Sequence, residues 1–190
     1  LSSLPETETE LRAMAKYLGA DEASIYLRER ATESQVKSVT LNQSKVVAFS
    51  THGLISGELK GLAEPALVLT PPDKGTEHDD GLLTASEVAQ LKLNADWVIL
   101  SACNTAAGDK PGATGLSGLA KAFFYAGARA LLVSHWPVQS DAATALTTRM
   151  FQTLKQNPLI GRAEALRRSM MTLATNPQTA HPFFWAPFVV

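Results

Sequence analysis

"DWVILSACNTAAG", residues 96–108, decides the reading of this 190-residue chain. Trp97, Val98, Ile99 and Leu100 form a continuous apolar run, the pattern of a strand buried on both faces. Ser101, Ala102 and Cys103 follow at once, and small, polar, flexible sequence then runs to Gly108. The only cysteine of the chain therefore stands where a buried strand gives out into a loop.

The same alternation recurs on either side. "KVVAFS" (45–50) and "ARALLVSHW" (128–136) are further apolar strands of the kind buried on both faces. "PALVLT" (65–70) and "GLLT" (81–84) flank "PPDKGTEHDD", which predicts a hairpin around a polar, mobile loop. "SIYL" (24–27) is a short strand candidate. "FFWAPFVV" closes the chain, and Pro187 restricts it to an edge strand.

Helical patterns separate these runs. Thr7-x-x-Glu10 has the form of a capping box, with Leu11, Met14, Ala15 and Leu18 at helical spacing and Gly19 suited to the stop. Thr32-x-x-Gln35 opens a second helix with Val36 and Val39 inward, and Thr84-x-x-Glu87 a third, to about Leu91. Gly115 to Ala126 is a helix with Leu116, Leu119, Ala120 and Phe123 inward, stopped by Gly127. Ser140 starts a long helix with Leu146, Met150, Phe151 and Leu154 inward; Pro158 and Gly161 break it before another over 162–173. Alternating helices and short apolar strands predict an α/β fold with a mainly parallel central sheet. Ligands of such sheets bind beyond the carboxyl ends of the strands, which is where Cys103 falls.

Composition narrows the function classes. Apolar residues are 45% and charged residues 18%, an ordinary globular balance. The length suits one compact domain, expected to span 1–190 as a piece of a longer protein. Net charge is −1 and the pI is near 6.5, so no basic face for nucleic acid is expected. No run reaches the ~18 apolar residues of a membrane span, so no membrane partner is expected. "LSSLPETETE" has neither the basic nor the apolar region of a signal peptide. A single cysteine excludes an intrachain disulfide and fits a reducing, cytoplasmic compartment. Asn42-Gln43-Ser44 matches a glycosylation acceptor, a triplet common by chance.

Strand 45–50 also ends on chemistry, His52 followed by Gly53. If strands 45–50 and 96–101 are parallel neighbours, His52 and Cys103 reach the same sheet edge. A thiol needs a base or a positive neighbour to become a thiolate near neutral pH, and histidine suits that part. The Gly53 backbone can approach a ligand closely, and its N–H can face a developing oxyanion. His52 precedes Cys103 by 51 residues, close to the roughly 50 residues that separate the two in caspases.

"SKVVAFSTHG", "DWVILSACNTAAG", "GLSGLAKAFFYAGARALLVSHWPV" and "HPFFWAPFVV", taken together and in this order, resemble the CHAT domain family. These are caspase-like domains often attached to tetratricopeptide repeats, within the caspase–legumain–separase group of cysteine peptidases. The resemblance covers nearly the whole chain, most clearly 45–150. It implies a three-layer αβα sandwich and endopeptidase activity on protein or peptide substrates. It implies a His52–Cys103 dyad and an oxyanion hole from the backbone N–H groups of Gly53 and Cys103. Control by a partner or an attached sensor is usual in the family, but no repeat region is present in this sequence. By the same resemblance Trp136 and Asp141 wall a pocket for the side chain preceding the cut, and an acid there favours Lys or Arg.

Plainer readings stand beside these. A lone buried Cys is usually a small hydrophobe. Asp141 also suits a helix N-terminus, where the dipole favours an acid. His135 reads as a structural histidine inside its strand, with a wall of the substrate pocket as the alternative, and His78 and His181 as surface residues. The histidines and Cys103 lack zinc-ligand spacing, so no metal is expected. "GDKPGATGLSG" (108–118) lacks the Lys of a phosphate loop, Asp109 replaces the Arg of a cysteine phosphatase, and no nucleophile elbow surrounds Cys103. No cofactor is expected, and a flavodoxin-like nucleotide binder has no motif in its favour. The rival from another class is a catalytically silent interaction module that regulates a partner through the same cleft.

Overall fold

The computed structural model describes residues 3–76, 78–101 and 118–190. In chain order the elements are α1 (Glu6–Leu18), α2 (Glu33–Ser38), β1 (Val46–Ser50), β2 (Gly53–Leu54), β3 (Ala66–Val68), β4 (Leu82–Thr84) and α3 (Ala85–Val88). Then follow β5 (Trp97–Ser101), α4 (Gly118–Ala126), β6 (Leu131–Ser134), α5 (Ser140–Gln156), α6 (Arg162–Ala174) and β7 (Phe188–Val189). They form two compact units, Tyr26–Trp136 and Leu1–Ile25 with Pro137–Val190.

In the unit Tyr26–Trp136 the central strand is β5. It pairs in parallel with β1, from Val46 opposite Trp97 to Ser50 opposite Ser101, and with β6, Val98 opposite Leu131. Trp97 to Leu100 are buried, as an unbroken apolar run predicts. β6 is buried along its length, whereas in β1 only Phe49 is. The expectation of two covered faces therefore fails for β1, the outer strand of this ladder, which is covered less completely than β5.

α4 packs by a stripe at positions i, i+3, i+4 and i+7: Leu119, Ala122, Phe123 and Ala126 are all buried. The Phe123 ring lies 5.5 Å from that of Phe49. Removing a ring buried this deeply costs on the order of 3–5 kcal/mol. Gly127 stops the helix as expected, at φ +111°, and a Cβ there would lie 2.4 Å from the carbonyl oxygen of Leu93. Only glycine meets both conditions.

A second sheet, β2-β3-β4, is antiparallel, with Ala66 opposite Thr84 and Val68 opposite Leu82. This is the predicted hairpin. Thr84 and Glu87 form the full capping box of α3, and Thr32 caps α2 through the amide of Gln35. α3 ends at Val88, short of Leu91, and the buried residue of α2 is Glu33, while Val36 and Val39 are half-buried.

In the other unit α1, α5 and α6 pack their apolar faces together. Met14 of α1, Leu146, Met150 and Phe151 of α5, and Ala165, Leu166 and Leu173 of α6 are buried. Leu154 is half-buried. Gly19 ends α1 at φ +71°; its amide reaches Lys16 O and that of Ala20 reaches Ala15 O, a Schellman stop.

The box at Thr7 and Glu10 does not form. Pro5 starts α1 two residues earlier, because its fixed φ suits a first turn, and the Thr7 hydroxyl donates to Leu4 O at 2.7 Å. Glu10 is buried and accepts from Thr147 Oγ1 of α5 at 2.6 Å. Residues 24–27 form no strand; Ser24 ends one short 3₁₀ turn, Glu22–Ser24, and another, Arg28–Arg30, follows Leu27. Residues 182–184 are a 3₁₀ turn, and the closing strand is reduced to Phe188–Val189. The class is the expected one, α/β with a mostly parallel central sheet, consistent with a caspase-like αβα sandwich.

Candidate active site

β1, β5 and β6 run parallel, so their carboxyl ends share one edge of the sheet. His52 comes two residues after Ser50 and Trp136 two residues after Ser134. Cys103 comes two residues after Ser101 in sequence and lies outside the described residues, with the rest of 102–117. The Thr51 amide donates to Ser101 O at 3.3 Å, which carries the β1–β5 ladder one residue past the strand end.

At this point the chain passes from one sheet into the other. The carbonyl of His52 accepts from the Val68 amide at 2.9 Å, and the Thr51 hydroxyl donates to Val68 O. His52 is half-buried and Gly53 is buried. Antiparallel pairs alternate between bonded and non-bonded positions. With His52 bonded to Val68, Gly53 opposite Leu67 takes the non-bonded position and its N–H is directed away from β3.

Trp136 is half-buried beyond β6. Asp141 is exposed in the first turn of α5, a position the helix dipole favours for an acid. The two belong to different compact units. His135 is exposed and lies past the end of β6 at Ser134, so its reading as a histidine inside the strand is corrected; the chain bends there and the imidazole reaches solvent. His78 and His181 are exposed as expected. His181 also caps the turn that follows it, its Nδ1 accepting from the Phe183 amide at 3.2 Å.

Sequence reasoning missed a buried charge cluster that ties down the loop of the hairpin. Glu33 is 1% exposed, and one of its carboxylate oxygens accepts the amides of Asp80 at 2.9 Å and Gly81 at 3.1 Å. Its other oxygen accepts from Lys37, which also donates to Glu87 at 2.8 Å and to the carbonyl of His78 at 2.7 Å. The loop expected to be mobile is therefore fastened at its C-terminal end. Burial pushes the Glu33 carboxyl up, against the pull of Lys37 and of the Asp80 amide. For Glu87 burial acts the same way, but Lys37 and Thr84 outweigh it and hold the group at about 2. Glu33 and Lys37 have helical i, i+4 spacing, the one local signal, yet the other hydrogen-bond partners described for them come from residues 78–87.

Among the described residues no group of three or more His, Cys, Asp or Glu side chains could hold a metal, and no helix is long and apolar enough to cross a membrane. The model of the CHAT domain family matches residues 1–190. Tetratricopeptide repeat protein 28 of Mus musculus and that of Homo sapiens are each 29% identical to the chain over 221 residues, covering 98% of it. The chain spans 8% of the length of these relatives.

Proposed function

Because the chain belongs to the CHAT domain family, we propose that it is a caspase-like cysteine endopeptidase domain acting on protein or peptide substrates. The observation that carries this reading is the register of β1 and β5. Ser50 stands opposite Ser101, and the candidate base and nucleophile each follow by two residues. The Cys103 thiolate attacks the scissile carbonyl, and the carbon–sulfur bond forms as the carbonyl becomes an oxyanion. The backbone N–H groups of Gly53 and Cys103 hold that oxyanion. The direction of the Gly53 N–H, away from β3, supports its part. His52 protonates the leaving amine, and water then releases the acyl group from sulfur.

The repeats in the relatives' name support a partner or repeat region that controls the cleft. The competent state of the domain alone is then only partly populated. We place the protein in the cytoplasm on its single cysteine. A second reading, a silent interaction module, is favoured by that same name, which describes repeats and no enzyme.

Cleavage of a peptide library by the purified chain tests the proposal. Cys103→Ala should abolish turnover at a stability cost of about 1 kcal/mol. Residual cleavage by pure Cys103→Ala protein ends the nucleophile assignment. A Cys103 inert to iodoacetamide, together with no cleavage, favours the module.

A further inference from the structure

Resting on the dyad reading, we propose that Thr51 is a positioning residue for His52. Three hydrogen bonds meet at this joint. The Thr51 amide is committed to β5 through Ser101 O, its hydroxyl to β3 through Val68 O, and the amide of Val68 returns to the carbonyl of His52. One residue thus belongs to the parallel sheet by its backbone and to the antiparallel sheet by its side chain. The peptide between Thr51 and His52 is bracketed by these bonds, with the Thr51 amide engaged before it and the His52 carbonyl after it.

Rotation of that peptide would swing the imidazole relative to the end of β5. The β-branch of threonine restricts χ1, so the hydroxyl is aimed at Val68 before the sheets close on it. Valine has the same shape and lacks the donor; serine keeps the donor and lacks the methyl group. A displacement near 1 Å at a reacting group is worth up to about a hundredfold in rate.

The test follows alkylation of the full chain by iodoacetamide as a function of pH, in wild type, His52→Ala, Thr51→Val and Thr51→Ser. Wild type should react near neutral pH at a rate that His52→Ala removes. Thr51→Val should move the pH profile toward that of His52→Ala and slow the reaction about tenfold, while Thr51→Ser stays within about threefold of wild type. Thermal unfolding checks that each variant is folded, and Thr51→Ala carries the same test if valine prevents folding. A Thr51→Val profile identical to wild type overturns the proposal and leaves the dyad standing. Equal losses in the valine and serine variants overturn it too, because the hydroxyl is then not the agent. If His52→Ala leaves the wild-type profile unchanged, His52 is no base; the dyad reading falls first and the positioning role with it.

Discussion

Ser50 and Ser101 stand opposite each other at the ends of two parallel strands, and the Thr51 amide extends that ladder to Ser101 O. The relationship fixes more than strand pairing. It sets where β1 leaves the parallel sheet, and hence where the backbone of His52 begins its turn into β2. Parallel strands with helical crossovers put both carboxyl ends on one edge, the edge where such sheets carry out their chemistry.

Specificity should follow charge if Asp141 lines the substrate pocket. Asp141→Ala is then expected to lower turnover of Lys and Arg substrates relative to neutral ones. Its exposure limits the effect, since a screened ion pair is worth up to about 1 kcal/mol, or roughly fivefold. Kinetics on matched peptides with Arg, Gln or Asp before the cut would measure it. A preference for Asp, or equal losses on all three, would remove Asp141 from the pocket.

Glu33→Ala should destabilise the fold by about 3 kcal/mol, because it strands the amides of Asp80 and Gly81 and one contact of Lys37. Glu33→Gln should cost less, since its amide oxygen still accepts from the two backbone amides. Denaturant unfolding gives the energies, and hydrogen exchange at Gly81 reports whether the loop has come free. An alanine variant as stable as wild type, with Gly81 still protected, would refute the fastening role.

Acid stability should depend on Glu87. Its folded carboxyl is held at about 2, below the ordinary 4.5. It therefore adds stability above the unfolded value, and that stability is lost as pH falls from 4.5 toward 2. The contribution is on the order of 2–3 kcal/mol near pH 6. Glu33 acts with the opposite sign: its carboxyl is raised, so its share of stability falls as pH rises from 4.5 through the folded value. Stability of wild type minus that of Glu87→Gln should shrink toward zero between pH 5 and pH 2. A difference that stays constant across that range would show that Glu87 does not carry the acid response.

The amino-acid sequence by itself determined the elements whose signals lie within a few residues. β5 is an apolar run with nothing polar to interrupt it, and it forms a buried strand over the residues expected. Thr32 and Thr84 satisfy amides three residues away, and Gly19 and Gly127 take backbone angles that other residues resist. The hairpin and the parallel class were legible for the same reason. His52 could be picked out because it follows an apolar run that forms a strand, though a less covered one, and the outcome for Cys103 lies outside the described residues.

Only the tertiary structure decided which polar groups meet. The Thr7 and Glu10 pattern is as good a cap on paper as that of Thr84 and Glu87. Glu10 went to Thr147, a buried hydroxyl of α5 137 residues away, while the Thr7 amide that a box would have given it donates to Leu4 O instead. Glu33 found its partners 47 and 48 residues on, and Thr51 found Val68 across a sheet boundary. A hydroxyl or carboxylate accepts any well-aimed partner, and the aim is set by helices and strands packing their apolar faces. Periodicity records which face turns inward; the register at which two inward faces lock depends on side-chain shapes contributed by both.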